Sequence, residues 1–149
     1  MTPTTFLTGL CFGEGPRWHD GHLYLSDMHD HRVLAVDPSG TARTVVAVEH
    51  WPSGLGWTPS GELLVVSMTD RRLLRHDGTQ LIEVADLSGL ASYHCNDMVV
   101  DRVGRAFIGN FGFDLHNGAP FKPAEIVRVD PDGSARIVAR DMAFPNGTV

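Results

Sequence analysis

The stretch RVLAVDPSG, residues 32–40, returns as RLLRHDG at 72–78 and as EIVRVDPDG at 125–133. Each copy is a short run of β-favouring residues closed by hairpin-turn chemistry. Asp-Pro-Ser-Gly, His-Asp-Gly and Asp-Pro-Asp-Gly all end in the glycine that a positive φ favours. Upstream of each copy lies a second set: DGHLYLSD (20–27), SGELLVVS (60–67) and VGRAFIGN (103–110). Ahead of these stands a third, EGPRW (14–18), SGLGW (53–57) and NDMVV (96–100), which NGTV (146–149) opens once more. TARTVVAV, TQLIEVAD and SARIVARD follow the turns. The repeat is therefore four short strands long, and its starts lie 39, 43 and 50 positions apart.

Four strands in about 40–50 residues is the pattern of a β-propeller blade. The spacing predicts an all-β fold of propeller type with about three blades, at approximately 14–52, 53–95 and 96–145, and the start of a fourth at 146. A β-sandwich is the competing architecture, and the fixed repeat argues against it. Closed propellers need at least about four blades. The expectation is thus a part of a larger propeller of the six-bladed kind, or a chain that pairs with another copy to cover its open ends.

Composition narrows the partners. Among 149 residues, 42% are hydrophobic, enough for one core, and the formal net charge is −6 with no basic block. Neither nucleic acid nor an anionic membrane suits such a surface. MTPTTFLTGLCF lacks the basic and long apolar regions of a secretory signal, and no apolar run reaches membrane-helix length. Cys11 and Cys95 have no CxxC spacing and read as reduced thiols, so the expected location is the cytoplasm.

Strand alternation places the candidate site. In an up-and-down blade, the start of the innermost strand and the turn between the second and third strands share one face. Glu14, Ser53, Asn96 and Asn146 all occupy the first position, beside the central axis. Glycines around Glu14 let the chain turn inward there. One carboxylate with amide oxygens is a hard-oxygen set, suited to a divalent cation such as Ca2+, Mg2+ or Mn2+. The bland alternative is that these polar residues merely begin strands and cap turns.

GEGP, YHCNDMVVD with GRAFIGNFGFD, and FPNG together resemble the family of senescence marker protein (regucalcin), gluconolactonases and related bacterial lactonases. The similarity runs over essentially the whole chain. It implies a six-bladed propeller with an axial divalent cation, Ca2+ first and Mg2+, Mn2+ or Zn2+ as alternatives, hydrolysing small lactones. The resemblance implies that Glu14 and Asn146 are cation ligands, and that Asn96 contacts substrate or cation-bound water. Where the family often has an arginine for substrate hydroxyls, this chain has His94, which changes the expected specificity. The family's last ligand, an aspartate that also serves as general base, falls in the next blade, past Val149.

Other candidates read as structure. His29-Asp30-His31 is turn-forming and reads as a solvated loop rather than a metal site. Asp97 should point away from Asn96 and support backbone in the channel wall. Asp27 and Asn110 end second strands on the site face, close enough to support the site. Trp18 and Trp57 read as packing between blades, and Cys95 as a small buried residue rather than a nucleophile paired with His94. The leading functional reading is a metal-dependent hydrolase of small lactones. Its alternatives are a non-catalytic cation-binding or assembly half-propeller, which would form a homodimer, and an esterase or phosphotriesterase on the same site.

Overall fold

A computed structural model describes residues 2–149. Four strands form the first sheet: β1 (Gly13–His19), β2 (His22–Asp27), β3 (Arg32–Val36) and β4 (Ala42–Ala47). The second holds β5 (Pro52–Trp57), β6 (Leu63–Ser67), β7 (Arg72–His76) and β8 (Leu81–Asp86). The third holds β9 (Cys95–Val100), β10 (Ala106–Asn110), β11 (Ala124–Val129) and β12 (Ala135–Met142). Each sheet keeps sequence order with neighbouring strands antiparallel, as in three propeller blades. A 3-10 turn at Met28–Asp30 is the one helical element among the described residues.

The turn chemistry does what the repeat requires. Asp37 accepts hydrogen bonds from Ser39 N and Thr41 N, and Gly40 takes φ +89° to close the loop. Asp77 and Asp132 in the β7–β8 and β11–β12 loops, and Asp101 in the β9–β10 loop, likewise accept from the backbone N–H two residues on.

β6 shows how the blades stack. LLVVS is buried along its whole length because both of its faces are covered. Leu63 and Val65 join Val33, Val48 and Leu55 between the first and second sheets. Leu64 and Val66 join Leu73, Met98, Ile108 and Val127 between the second and third. Each such side chain contributes about 1.5–3 kcal/mol by leaving water. Outer strands pay less into the core: β12 alternates half-buried and exposed positions through Ala139.

The inner strands β1, β5 and β9 come close because glycines face the contact. A Cβ on Gly15 would lie 2.7 Å from Ser53 O, and its φ of +53° also favours glycine. A Cβ on Gly54 would lie 2.5 Å from Met98 N. Each inner strand also carries one extra residue near its start. Register shifts occur between Glu14 and Arg17, between Pro52 and Leu55, and opposite Ile108 and Asn110 on β9.

Trp57 packs as the sequence suggests, stacked on His19 with ring centroids 3.9 Å apart. Trp18 does not: it is 65% exposed, because it lies on the face of the first sheet that has no neighbouring sheet. On the third sheet, Ile137 packs toward the second sheet, while Val138, one position on, is exposed. The segment 143–149 forms no strand. No helix among the described residues is long and apolar enough to cross a membrane.

Candidate functional site

Glu14, Ser53 and Asn96 are each the second residue of an inner strand, at the same end of three neighbouring sheets. The strands meet through the next residues: a Cβ on Gly15 would lie 2.7 Å from Ser53 O, and one on Gly54 3.0 Å from Asn96 O. Ser26 Oγ donates to Ser53 O at 2.7 Å, and Ser53 Oγ reaches Asn96 Oδ1 at 3.5 Å. Asn96 Nδ2 donates to Pro145 O at 3.4 Å, which brings Asn146 next in line. Asn96 is buried, Glu14 half-buried and Asn146 exposed. Three adjacent strand starts, at Glu14, Ser53 and Asn96, thus share one end of the sheets, and the strandless segment of Pro145 and Asn146 joins them through Asn96.

The donor chemistry fits a hard cation. Both Asn96 hydrogen bonds are at the long limit, so its buried Oδ1 retains capacity to accept or coordinate. Glu14 adds a carboxylate and Asn146 a second amide, which is oxygen chemistry throughout. Calcium takes about six to eight such oxygens, so three side chains of this kind would supply only part of a coordination shell. Among the described residues, no three His, Cys, Asp or Glu side chains gather as a metal-binding group.

Three supporting groups act on the backbone around these donors. Asp27, with a fully buried side chain, accepts from Cys11 N at 2.8 Å and Phe12 N at 2.9 Å and pairs with Arg32 at 2.9 Å. Burial pushes its pKa up, but these bonds outweigh burial and hold it below the usual aspartate value. Asp27 therefore fixes the approach to Glu14. Asn110 accepts from Gly112 N at 2.8 Å and donates to Glu125 O at 3.0 Å, anchoring the start of the 111–124 insert. Asp97 holds Arg17 and accepts from Thr148 N at 2.9 Å, tying the segment of Asn146 to the third sheet.

His94 sits two residues before Asn96, stacked on Tyr93 with centroids 4.1 Å apart. Its Nδ1 is buried without a hydrogen-bond partner. Burial, then His116, lowers its pKa, while Asp114 pulls the other way. The group at this position is thus a largely uncharged imidazole in an aromatic wall. Burial, then Asp114 of the insert, raises the pKa of Tyr93.

Apart from His94, sequence reasoning did not single out the rings around this end of the sheets. Phe12, Trp51, His94 and Phe144 each stand two residues before Glu14, Ser53, Asn96 and Asn146. The same alignment, read two positions upstream, carries that signal. His29, expected as part of a solvated loop, is exposed but lies between Phe12 and Trp51, with centroids 5.2 and 4.9 Å away. Asp30 and His31 are exposed as expected, paired with Arg32 and Glu49 O.

Cys95 is fully buried and burial pushes its thiol up to about 12, which removes the thiolate a nucleophile needs. A cavity of about 550 Å3 lies elsewhere. It opens between the outer parts of the second and third sheets, beside Thr58, Glu62, Arg75 and Asp130, where blades splay apart.

Comparison with known proteins agrees with this architecture. Over 152 residues the chain is 28% identical to pentonolactonase XacC of Haloferax volcanii, covering 99% of this chain and 49% of that protein. A gluconolactonase from Xanthomonas campestris superposes with a TM-score of 0.75 at 23% identity, over 91% of this chain and 50% of that one. A calcium-binding regucalcin from Agrobacterium tumefaciens gives a TM-score of 0.72 at 22% identity, over 91% and 45%. The chain spans about half the length of these relatives. Residues 12–149, which hold all three sheets and every candidate donor, match the SMP-30/gluconolactonase/LRE-like region, and the chain belongs to that family.

Proposed function

We propose that this chain carries part of the cation and substrate site of a metal-dependent hydrolase of small lactones. The observation that carries the reading is the contiguity of Glu14, Ser53, Asn96 and Pro145–Asn146 at one end of the inner strands. It is supported by the family match and by the names of the lactonases among the relatives.

A divalent cation held there, calcium first by its hard-oxygen donors, would polarise a lactone carbonyl and favour water attack. Glu14 supplies the charge that retains the cation, and Asn146 an amide oxygen. Asn96, held in place by Ser53 and Pro145, orients the substrate or the attacking water. The general-base aspartate implied by the family is not assigned to any residue here. The two unpaired cysteines suit a reducing compartment, and we place the protein in the cytoplasm on that ground.

Lactone ring opening followed by pH-stat is the direct test. Activity abolished by EDTA and by Glu14→Gln is expected. Ring opening that survives both would overturn the reading. Calcium titration of the Glu14→Gln protein provides a second readout, with affinity expected to fall on the order of 10- to 100-fold.

One observation favours a second reading, an assembly unit. Trp18 and Val138 leave apolar surface on the outer faces of the first and third sheets, 65% and 43% exposed. A second copy related by a two-fold axis could cover both and close a six-bladed ring. Light scattering should then give twice the chain mass at high concentration, and Trp18→Asp should return it to monomer. A monodisperse monomer of the unmodified chain would exclude this reading.

A further inference from the structure

A nearly continuous set of ring contacts borders the candidate donors. From Phe12 it passes to His29 (5.2 Å between centroids), to Trp51 (4.9 Å), to His116 (6.0 Å) and to His94 (6.2 Å). Phe111, 6.0 Å from His116 and 4.8 Å from Phe144, continues it to the last repeat. The repeat sets this collar in place: Phe12, Trp51, His94 and Phe144 each precede a candidate donor position by two residues.

Two of these equivalent rings sit on strained backbone. Trp51 has φ +59° and Phe144 φ +54°. Left-handed backbone is unfavourable for bulky residues and persists only where the surroundings enforce it, which is characteristic of functional positions. A sequence selected for stability alone would place glycine or asparagine there. Both aromatics remain, each two residues from a candidate donor position.

Resting on the lactone-hydrolase reading, we propose that the collar selects lactones bearing a flat apolar ring over polyhydroxylated ones. Trp51 and Phe144 pack in part against Met28, Met68 and buried Phe111, so the stacking area comes from exposed Phe12, His29 and His116 and half-buried Trp51, whose hydrogen-bonding groups are imidazole and indole nitrogens. A sugar's hydroxyls would exchange water for ring faces and lose bonds, while an aromatic or alicyclic ring gains contact. The carbonyl end is then directed to the donors two residues further along each strand.

Non-hydrolysable lactams test this without turnover. In EDTA, binding of 3,4-dihydroquinolin-2-one and of the polyhydroxylated D-glucono-δ-lactam is compared by ligand-observed NMR titration. The fused-ring lactam should bind at least about tenfold more tightly, the effect of one good ring stack. Trp51→Gly, which suits the left-handed backbone, should erase that preference, and Trp51→Phe should keep most of it. Phe12→Ala, at an exposed position, should reduce it if Trp51→Gly does not fold. Equal affinities for the two lactams, no binding of either, or a preference untouched by Trp51→Gly and Phe12→Ala would overturn the proposal. Calcium binding by Glu14 is read separately by titration, so loss of the lactonase reading and loss of the collar are distinguishable.

Discussion

One guanidinium nitrogen of Arg17, on the first sheet, lies 2.7 and 2.9 Å from the two carboxylate oxygens of Asp97, on the third. It also donates to Met98 O at 2.7 Å. Only 7% of the Asp97 side chain is exposed, so little water competes for the pair. Removing one partner leaves a buried charge. Arg17→Met should cost about 3 kcal/mol in urea unfolding, and Arg17→Met with Asp97→Leu should cost less than the sum of the single changes. Additive costs would show that the two residues act independently.

Gly54→Ala should destabilise by about 1–3 kcal/mol, the usual cost of overpacking. The added methyl would meet the backbone of Met98 and Asp97 in β9, which has no flexible end to move aside. Gly78→Ala has open space, but its φ of +99° carries its own strain, so Gly89→Ala, with neither problem, is the control. Equal melting temperatures for Gly54→Ala and Gly89→Ala would contradict the close approach of β5 to β9.

The acid limb of stability should depend on Asp27. Its folded pKa lies below 3.8, so its stabilisation is present above about pH 4 and is lost as pH falls through the folded value. Asp27→Asn should lower the urea midpoint at pH 7, and the gap from the unmodified protein should narrow toward pH 3. A gap constant with pH would show that the charge of Asp27 is immaterial.

Thiol reagents should separate the cysteines. Cys11 is exposed, whereas Cys95 is buried with its thiol raised to about 12. The native protein should release reagent in proportion to Cys11 alone, with Cys95 reacting after unfolding. Rapid reaction in Cys11→Ser would mean that the third sheet opens readily.

Strand positions were legible because the turns are chemically explicit. Asp-Pro-Ser-Gly at 37–40 and Asp-Pro-Asp-Gly at 130–133 fix both the hairpin and its register, and β3, β7 and β11 fall where the repeat puts them. The ring of strand starts followed from counting along the same repeat. Trp18 is exposed because its sheet face has no neighbouring sheet, and a single repeat does not encode which face of a stack is left uncovered. The role of His29 was missed because its ring partners, Phe12 and Trp51, are 17 and 22 residues distant in sequence, and only packing joins them. Phe144 on left-handed backbone is likewise invisible to composition, since residue type there argues for the opposite conformation.

The extra residue near the start of each inner strand has an evolutionary consequence. Because the same bulge recurs in β1, β5 and β9, the ladder pattern is a shared inheritance of the copies, while the side chain displayed at position 14, 53 or 96 is free to diverge. A point mutation exchanges one donor and leaves the hydrogen-bond ladder intact. An insertion or deletion at the same place would turn every later residue of that strand to the opposite face. The frame therefore accommodates an exchange of side chain at these positions far more readily than a change of length.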